Sequence, residues 1–327
     1  MSRTTHAARS THSWTRPVSI RRGARARGRW LALSTALLAL CLSALVAAPA
    51  AGAAPRSGAG SETVSSVTRS RAMWVWDTST PQATVDLAVS SGIGQLFVAV
   101  PPNLATSSRL ADLTTLSQRA RAAGIRVDAL GGDPTWVDNA SWVVTSWLKP
   151  VKSSGLFTGI HIDVEPYSLP AWTTKQSTVV ASYLTLLDKL GANAGSYPIE
   201  ADIPFWFGTV AASSSTGAAS TLDREIMKRT AGVSVMAYRN TATGPDGTLD
   251  VASTALAAGA FLGRPVRLGQ ETTYLGDTAV DRKQTFFGWT RTDMETQLAL
   301  VDSGAAAYAT YAGLAIHDAS GYAAMAP

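Results

Sequence analysis

Residues 159–167 read Gly-Ile-His-Ile-Asp-Val-Glu-Pro-Tyr, and the alternation inside this run frames the rest of the chain. Successive side chains of an extended strand point to opposite faces, so His161, Asp163 and Glu165 share one side while Ile160, Ile162 and Val164 share the other. Three polar groups buried on a helix-covered apolar face would carry a heavy desolvation cost. They belong instead on the inner face of a curved sheet, near the opening where the strand stops at Pro166.

Seven more runs of this kind flank the first, which spans Gly159 to Val164: Ala72 to Trp76, Gln95 to Val100, Arg126 to Leu130, Ile199 to Pro204, Val233 to Tyr238, Val266 to Gln270 and Gly313 to His317. All are short and apolar, as parallel strands covered on both faces are. Helical patterns lie between them. One places Val180, Tyr183, Leu184, Leu187 and Leu190 on a single face behind a Thr173-Thr174 cap. Another opens with Thr292-x-x-Glu295 as a capping box and buries Met294, Leu298 and Val301. Gly92, Gly124, Gly155, Gly191, Gly232, Gly263 and Gly304 fall where helices should stop. Eight β/α repeats predict an α/β protein with a closed (β/α)8 (TIM) barrel over residues 71–327, with an open doubly wound sheet as the alternative. No G-x-G-x-x-G or Walker A sequence follows any run to favour the open sheet. So little chain follows His317 that the eighth helix is expected to be short or absent.

Residues 1–54 differ in kind. Eight arginines and no acidic residue precede an apolar run from about Trp30 to Ala48, which ends in Ala51-Gly52-Ala53-Ala54. The pattern predicts an export signal, an uncleaved membrane anchor being the alternative, followed by a flexible lead over 55–70. Without that segment the chain keeps 20 basic and 23 acidic residues, so the apparent excess of positive charge belongs to the signal. No basic surface remains to suggest nucleic acid as a partner, and no stable membrane association is expected after cleavage. The single cysteine, Cys41, lies in the signal, so neither a disulfide nor a thiol serves the folded domain, and no cofactor motif is present.

In such a barrel the reacting groups sit where strands end. Here the ends are acidic and aromatic: Trp76 and Asp77, Asn103, Asp133, the Asp163-Val164-Glu165-Pro166-Tyr167 segment, Asp202 with Trp206, Tyr238 with Arg239, Glu271, and His317 with Asp318. Asp163 beside Glu165 should raise the latter's pKa, as a general acid requires. The bland alternative is a buried salt bridge, for which Arg239 is a candidate. Asp133 and Asp202 are weaker candidates, because an Asp after a strand is also a common cap. Hydrogen bonding suits His161 and His317 better than metal ligation, since only two histidines remain after the signal.

Gly159 to Glu165 resembles the D-G-x-D-x-D-x-E strand of the chitinase-like (β/α)8 glycoside hydrolases, with Thr158 and His161 at its first two Asp positions. Met236-Ala237-Tyr238-Arg239 resembles that family's M-x-Y-D, with Arg239 in place of Asp. Glu165 together with Glu271 is also similar to the retaining clan that carries glutamates on strands four and seven. Across the barrel the chain looks most like a group of secreted hydrolase-like proteins with I-D-V-E-P-Y, A-D-I-P-F-W-F and M-A-Y-R segments. These resemblances imply a secreted glycosidase acting on a poly- or oligosaccharide. Glu165 is then the proton donor, Asp163 its tuner, Glu271 the nucleophile or base, and Tyr238 a hydrogen-bonding group at the reacting centre. Trp76, Asp77, Asn103, Asp133, His161, Tyr167, Asp202, Trp206, Arg239, His317 and Asp318 are expected to line the sugar site, where indole and phenol rings offer stacking faces. Glu271 also has a structural reading, as a cap for the turn before Tyr274. Two other functions stay open: a non-catalytic carbohydrate-binding barrel, and a metal-dependent amidase or deacetylase if His161, Asp163 and His317 converge on one ion.

Overall fold

Strands that alternate small or aromatic residues on one side with aliphatic ones on the other bury both faces by closing on themselves. The computed structural model describes residues 68–327. The expected signal over 1–54 and all but the last residues of the lead lie outside the described residues. Ten strands occur among these: β1 (Arg71–Val75), β2 (Ile93–Ala99), β3 (Arg126–Gly131), β4 (Gly159–Ile162), β5 (Ile199–Pro204), β6 (Ala211–Ser213), β7 (Ala219–Thr221), β8 (Gly232–Met236), β9 (Val266–Glu271) and β10 (Tyr311–His317). Eight of them form a closed parallel barrel in the order β1-β10-β9-β8-β5-β4-β3-β2, while β6 and β7 make a separate antiparallel ribbon. The fold is a (β/α)8 barrel, and the helix after β10 is a single short one, Ala319–Ala324, capped by Asp318.

Alternation sorts the core into two parts. Met73, Leu96, Val98, Val127, Ile160 and Ile203 face outward into the large apolar layer shared with the helices. Each such side chain taken out of water stabilises the fold by roughly 1.5–3 kcal/mol. Ala72, Trp74, Phe97, Leu130 and Ala315 form a separate inner cluster. At the N-terminal end of the barrel Arg267 donates to Gln95 (2.8 Å), Gln95 to Asp128 (2.7 Å), and Thr158 also to Asp128 (2.9 Å). With that end filled, the groups beyond the C-terminal ends of the strands border the open end.

Several local expectations change. The helix Arg291–Ala305 is capped by Thr290, whose Oγ1 accepts from the Asp293 amide, two residues before the expected box; Glu295 instead pairs with Arg71. Thr173 and Thr174 sit in a short helix of their own, and Lys175 occupies the N-cap of Gln176–Ala194. Gly92, Gly124, Gly155 and Gly263 end helices at positive φ. Gly191 lies inside a helix that runs on to Ala194, Gly232 opens β8, and Gly304 lies within Arg291–Ala305 against Leu249. Strands β4 and β8 stop earlier than expected, so Asp163, Glu165 and Tyr238 lie on the loops just past them.

Candidate active site

The loop after β4 carries Asp163 and Glu165, and Gly132, just past the neighbouring strand β3, makes room for it. A Cβ on Gly132 would come within 1.9 Å of the Asp163 carbonyl oxygen, so only glycine lets the end of β3 lie against this loop. The Asp163 amide still donates to Gly131 (3.1 Å), which continues the ladder for one step before Pro166 ends it. Glu165 is partly buried and accepts a short hydrogen bond from the Tyr167 hydroxyl. Burial raises its pKa above the ordinary carboxylate range, while the Tyr167 bond and His317 pull the other way. Asp163 is pushed up further, by burial and then by the charges of Asp202 and Glu165, and its Oδ1 is buried without a hydrogen-bond partner.

Beneath them Asp202, from β5, accepts from the Trp74 indole N–H (2.9 Å) and meets His161 Nε2 (2.8 Å). His161 is fully buried and lies flat against Phe97, with ring centroids 3.6 Å apart. Burial lowers its pKa to about 4, so the ring is neutral at physiological pH.

The seventh barrel strand delivers Glu271 in a committed state. Its Oε1 accepts from the amides of Thr272 (2.8 Å) and Thr273 (2.6 Å) and from the Thr273 hydroxyl (2.8 Å), and its Oε2 meets His317 Nδ1 at 2.8 Å. Burial would raise its pKa, yet His317 and the Thr273 donors outweigh that and hold the group below the usual carboxylate range. Reciprocally, burial would lower His317, but Glu271 lifts it to about 9. The Trp76 indole N–H faces Nε2 of the same ring at 3.0 Å. Only a neutral imidazole can accept that bond, so full protonation of His317 displaces Trp76. The expectation that Glu271 serves as nucleophile or base meets this environment: a buried carboxylate that accepts three donors at Oε1 and one contact, from His317, at Oε2. It caps the turn before Tyr274, as its structural reading held, and it orients His317.

Tyr238 lies against His317, with centroids 6.0 Å apart, and its ring fits over Gly269, where a Cβ would stand 3.3 Å from it. Tyr167 packs edge-on to Trp206 (5.2 Å), which also contacts Trp172 and Phe207. The structure thus brings Trp76, Asp163, Glu165, Tyr167, Asp202, His161, Tyr238 and His317 together, with Trp206 at one side. Other predicted residues are occupied elsewhere. Asp77 accepts from the Ser79 amide, Asp133 caps Pro134–Asp138 through Thr135, and Asp318 caps the last helix. Asn103 is exposed at a positive φ of 52°, and its amide is bonded to Ser146. Arg239 pairs with Asp246 and covers Phe205, so it does not neutralise Asp163 or Glu165. Trp136 packs on Trp147 in the outer core.

Trp74, Phe97, Gly132 and Gly269 escaped the reading of the sequence. Trp74 was detectable, since it alternates in phase with Trp76 on β1; the two glycines show their role only against the side chains they admit. Among the described residues no three His, Cys, Asp or Glu side chains are grouped as a metal site, and no helix is long and apolar enough to cross a membrane.

Among solved structures, a GH18 chitinase from Cycas revoluta in complex with (GlcNAc)4 superposes with a TM-score of 0.52 at 14% identity, covering 77% of this chain and 95% of that one. The chain shares the (β/α)8 barrel fold of that chitinase. The spore cortex-lytic enzyme SleL of Bacillus cereus (TM-score 0.47, 9% identity, 79% and 74% covered) matches less well. So does the chitinase ChiB of Flavobacterium johnsoniae (0.47, 12%, 78% and 89%). At these identities the likeness carries the fold alone. No protein-family model matches the chain, and no curated protein matches it.

Proposed function

We propose that the protein is a secreted glycoside hydrolase that cleaves O-glycosidic bonds of a poly- or oligosaccharide, with Glu165 as proton donor. The observation that carries this is the state of Glu165: a partly buried carboxylic acid at the open end of the barrel, raised by burial, beside a second acid and without a guanidinium or ammonium partner among its hydrogen bonds. Such a group keeps its proton to higher pH than an ordinary carboxylate and can pass it to a leaving oxygen. Asp163 stands next to it, Tyr238 and His317 border the same space, and Trp76, Tyr167 and Trp206 supply stacking faces for sugar rings.

The non-catalytic alternative rests on Glu271. With both of its oxygens hydrogen-bonded, Glu271 is not the free second carboxylate that standard glycosidase chemistry uses. One experiment separates the readings. The protein and its Glu165→Gln variant are assayed against a panel of polysaccharides and aryl glycosides, with binding followed in parallel by calorimetry. Hydrolysis predicts loss of turnover by at least about 100-fold with binding retained; binding without turnover in both proteins would establish the non-catalytic barrel.

A further inference from the structure

Asp202, on β5, and Asp163, on the loop just past β4, project into the same interior. The register pairs Ile162 with Ala201, which places Asp163 and Asp202 one step further on and on the same inward side. Two carboxylates so close, both withdrawn from water, do not both ionise near neutral pH, so the pair keeps a proton. Hydrogen-bond donors determine which residue holds it.

Both Asp202 oxygens already face a ring N–H. Oδ2 receives the Trp74 indole proton, which has no alternative direction, and Oδ1 faces His161 Nε2. His161 Nδ1 is buried without a partner. A bare lone pair costs less there than a stranded N–H, so the imidazole proton sits on Nε2 and is donated to Asp202. The stacked Phe97 ring keeps His161 in that orientation. A proton on Asp202 would compete with one of these donors, whereas no donor reaches the Asp163 carboxyl for a proton to displace. We propose that Asp202, held by His161 and Trp74, is a positioning residue that keeps the shared proton on Asp163, so that Asp163 meets its ligand as a hydrogen-bond donor to an acceptor oxygen.

The ionisable groups around the pair are Glu165 beside Asp163, Glu200 on β5, Glu271 and His317 from β9 and β10, and the phenols of Tyr167, Tyr183 and Tyr238. His317 is the cationic member, and it acts on Asp163 and Asp202 alike, so it does not decide between them. The nature of the ligand rests on the hydrolase reading given above; the location of the proton does not.

The test is carboxyl 13C NMR of the protein labelled at aspartate, with Asp163 and Asp202 assigned through the backbone and titrated from acid to neutral pH. At pH 7 Asp163 is expected at the protonated carboxyl position and Asp202 at the ionised one. In Asp202→Asn the Asp163 midpoint should fall by at least about one pH unit, roughly a tenfold change in proton affinity. A protonated Asp202 beside an ionised Asp163 overturns the proposal, and so does an unmoved Asp163 midpoint in Asp202→Asn. If that variant does not fold, the wild-type titration alone decides where the proton lies. A wild-type protein that hydrolyses nothing but shows Asp163 protonated would remove the hydrolase reading and keep this one.

Discussion

Replacing Glu271 with Gln should cost the fold about 2 kcal/mol at neutral pH, by a route visible in the hydrogen bonds. The amide keeps an oxygen for the amides of Thr272 and Thr273 but turns an NH2 toward His317 Nδ1–H. Moving the histidine proton to Nε2 only transfers the conflict to the Trp76 N–H. In the wild type the carboxylate raises His317 from 6.5 to about 9 despite burial, which corresponds to about 3 kcal/mol of preference for the charged ring. Loss of the Trp76 bond on protonation offsets about 1 kcal/mol of that.

The pH dependence follows from the signs. The folded pKa of His317 lies above its ordinary value, so its contribution is complete below about pH 6.5 and fades as pH rises through about 9. That of Glu271 lies below its ordinary 4.5, so its contribution is present above that value and lost as pH falls through the folded pKa. Urea unfolding of the two proteins should therefore differ most between about pH 5 and 6.5, and above about pH 9 the gap should narrow to what the mismatched hydrogen bonds alone cost. Long-range 15N correlation spectra should show the His317 midpoint in Glu271→Gln falling well below its wild-type position, since burial is then opposed only by the charges of Asp318 and Asp163. An equal stability gap at about pH 5.5 and 9.5, or an unmoved His317 midpoint, would refute the assignment.

Gly132→Ala places a methyl 1.9 Å from the Asp163 carbonyl, so the loop after β4 must move; thermal melting is expected to show a loss of about 2–4 kcal/mol together with weakened saccharide binding. Under the proposed mechanism Glu165 acts in its protonated form, which predicts that kcat/KM falls as pH rises through its raised pKa. Tyr167→Phe removes a bond that favours the ionised carboxylate, so this falling limb should move to higher pH; a shift to lower pH in the rate profile would contradict the role given to Tyr167.

Much of the site was legible because strand alternation is local. Alternation set His161, Asp163 and Glu165 on one side of their run, and eight β/α repeats favoured a closed barrel over an open sheet. The turn carboxylates Asp77, Asp133 and Asp318 act within three residues of themselves, so they are assignable from local chain chemistry once the strand ends are known.

Closure of the barrel decided the rest. Glu271 looks as free as Glu165 in the sequence, yet it meets an imidazole 46 positions away and three donors of its own turn. Asp202 is anchored by Trp74 from 128 positions away and by His161 from the adjacent strand. Alternation is a steric property of each strand and survives in any context. The charge and availability of a carboxylate depend on the donors that reach it and on the water it loses, and both are set only when distant strands come together.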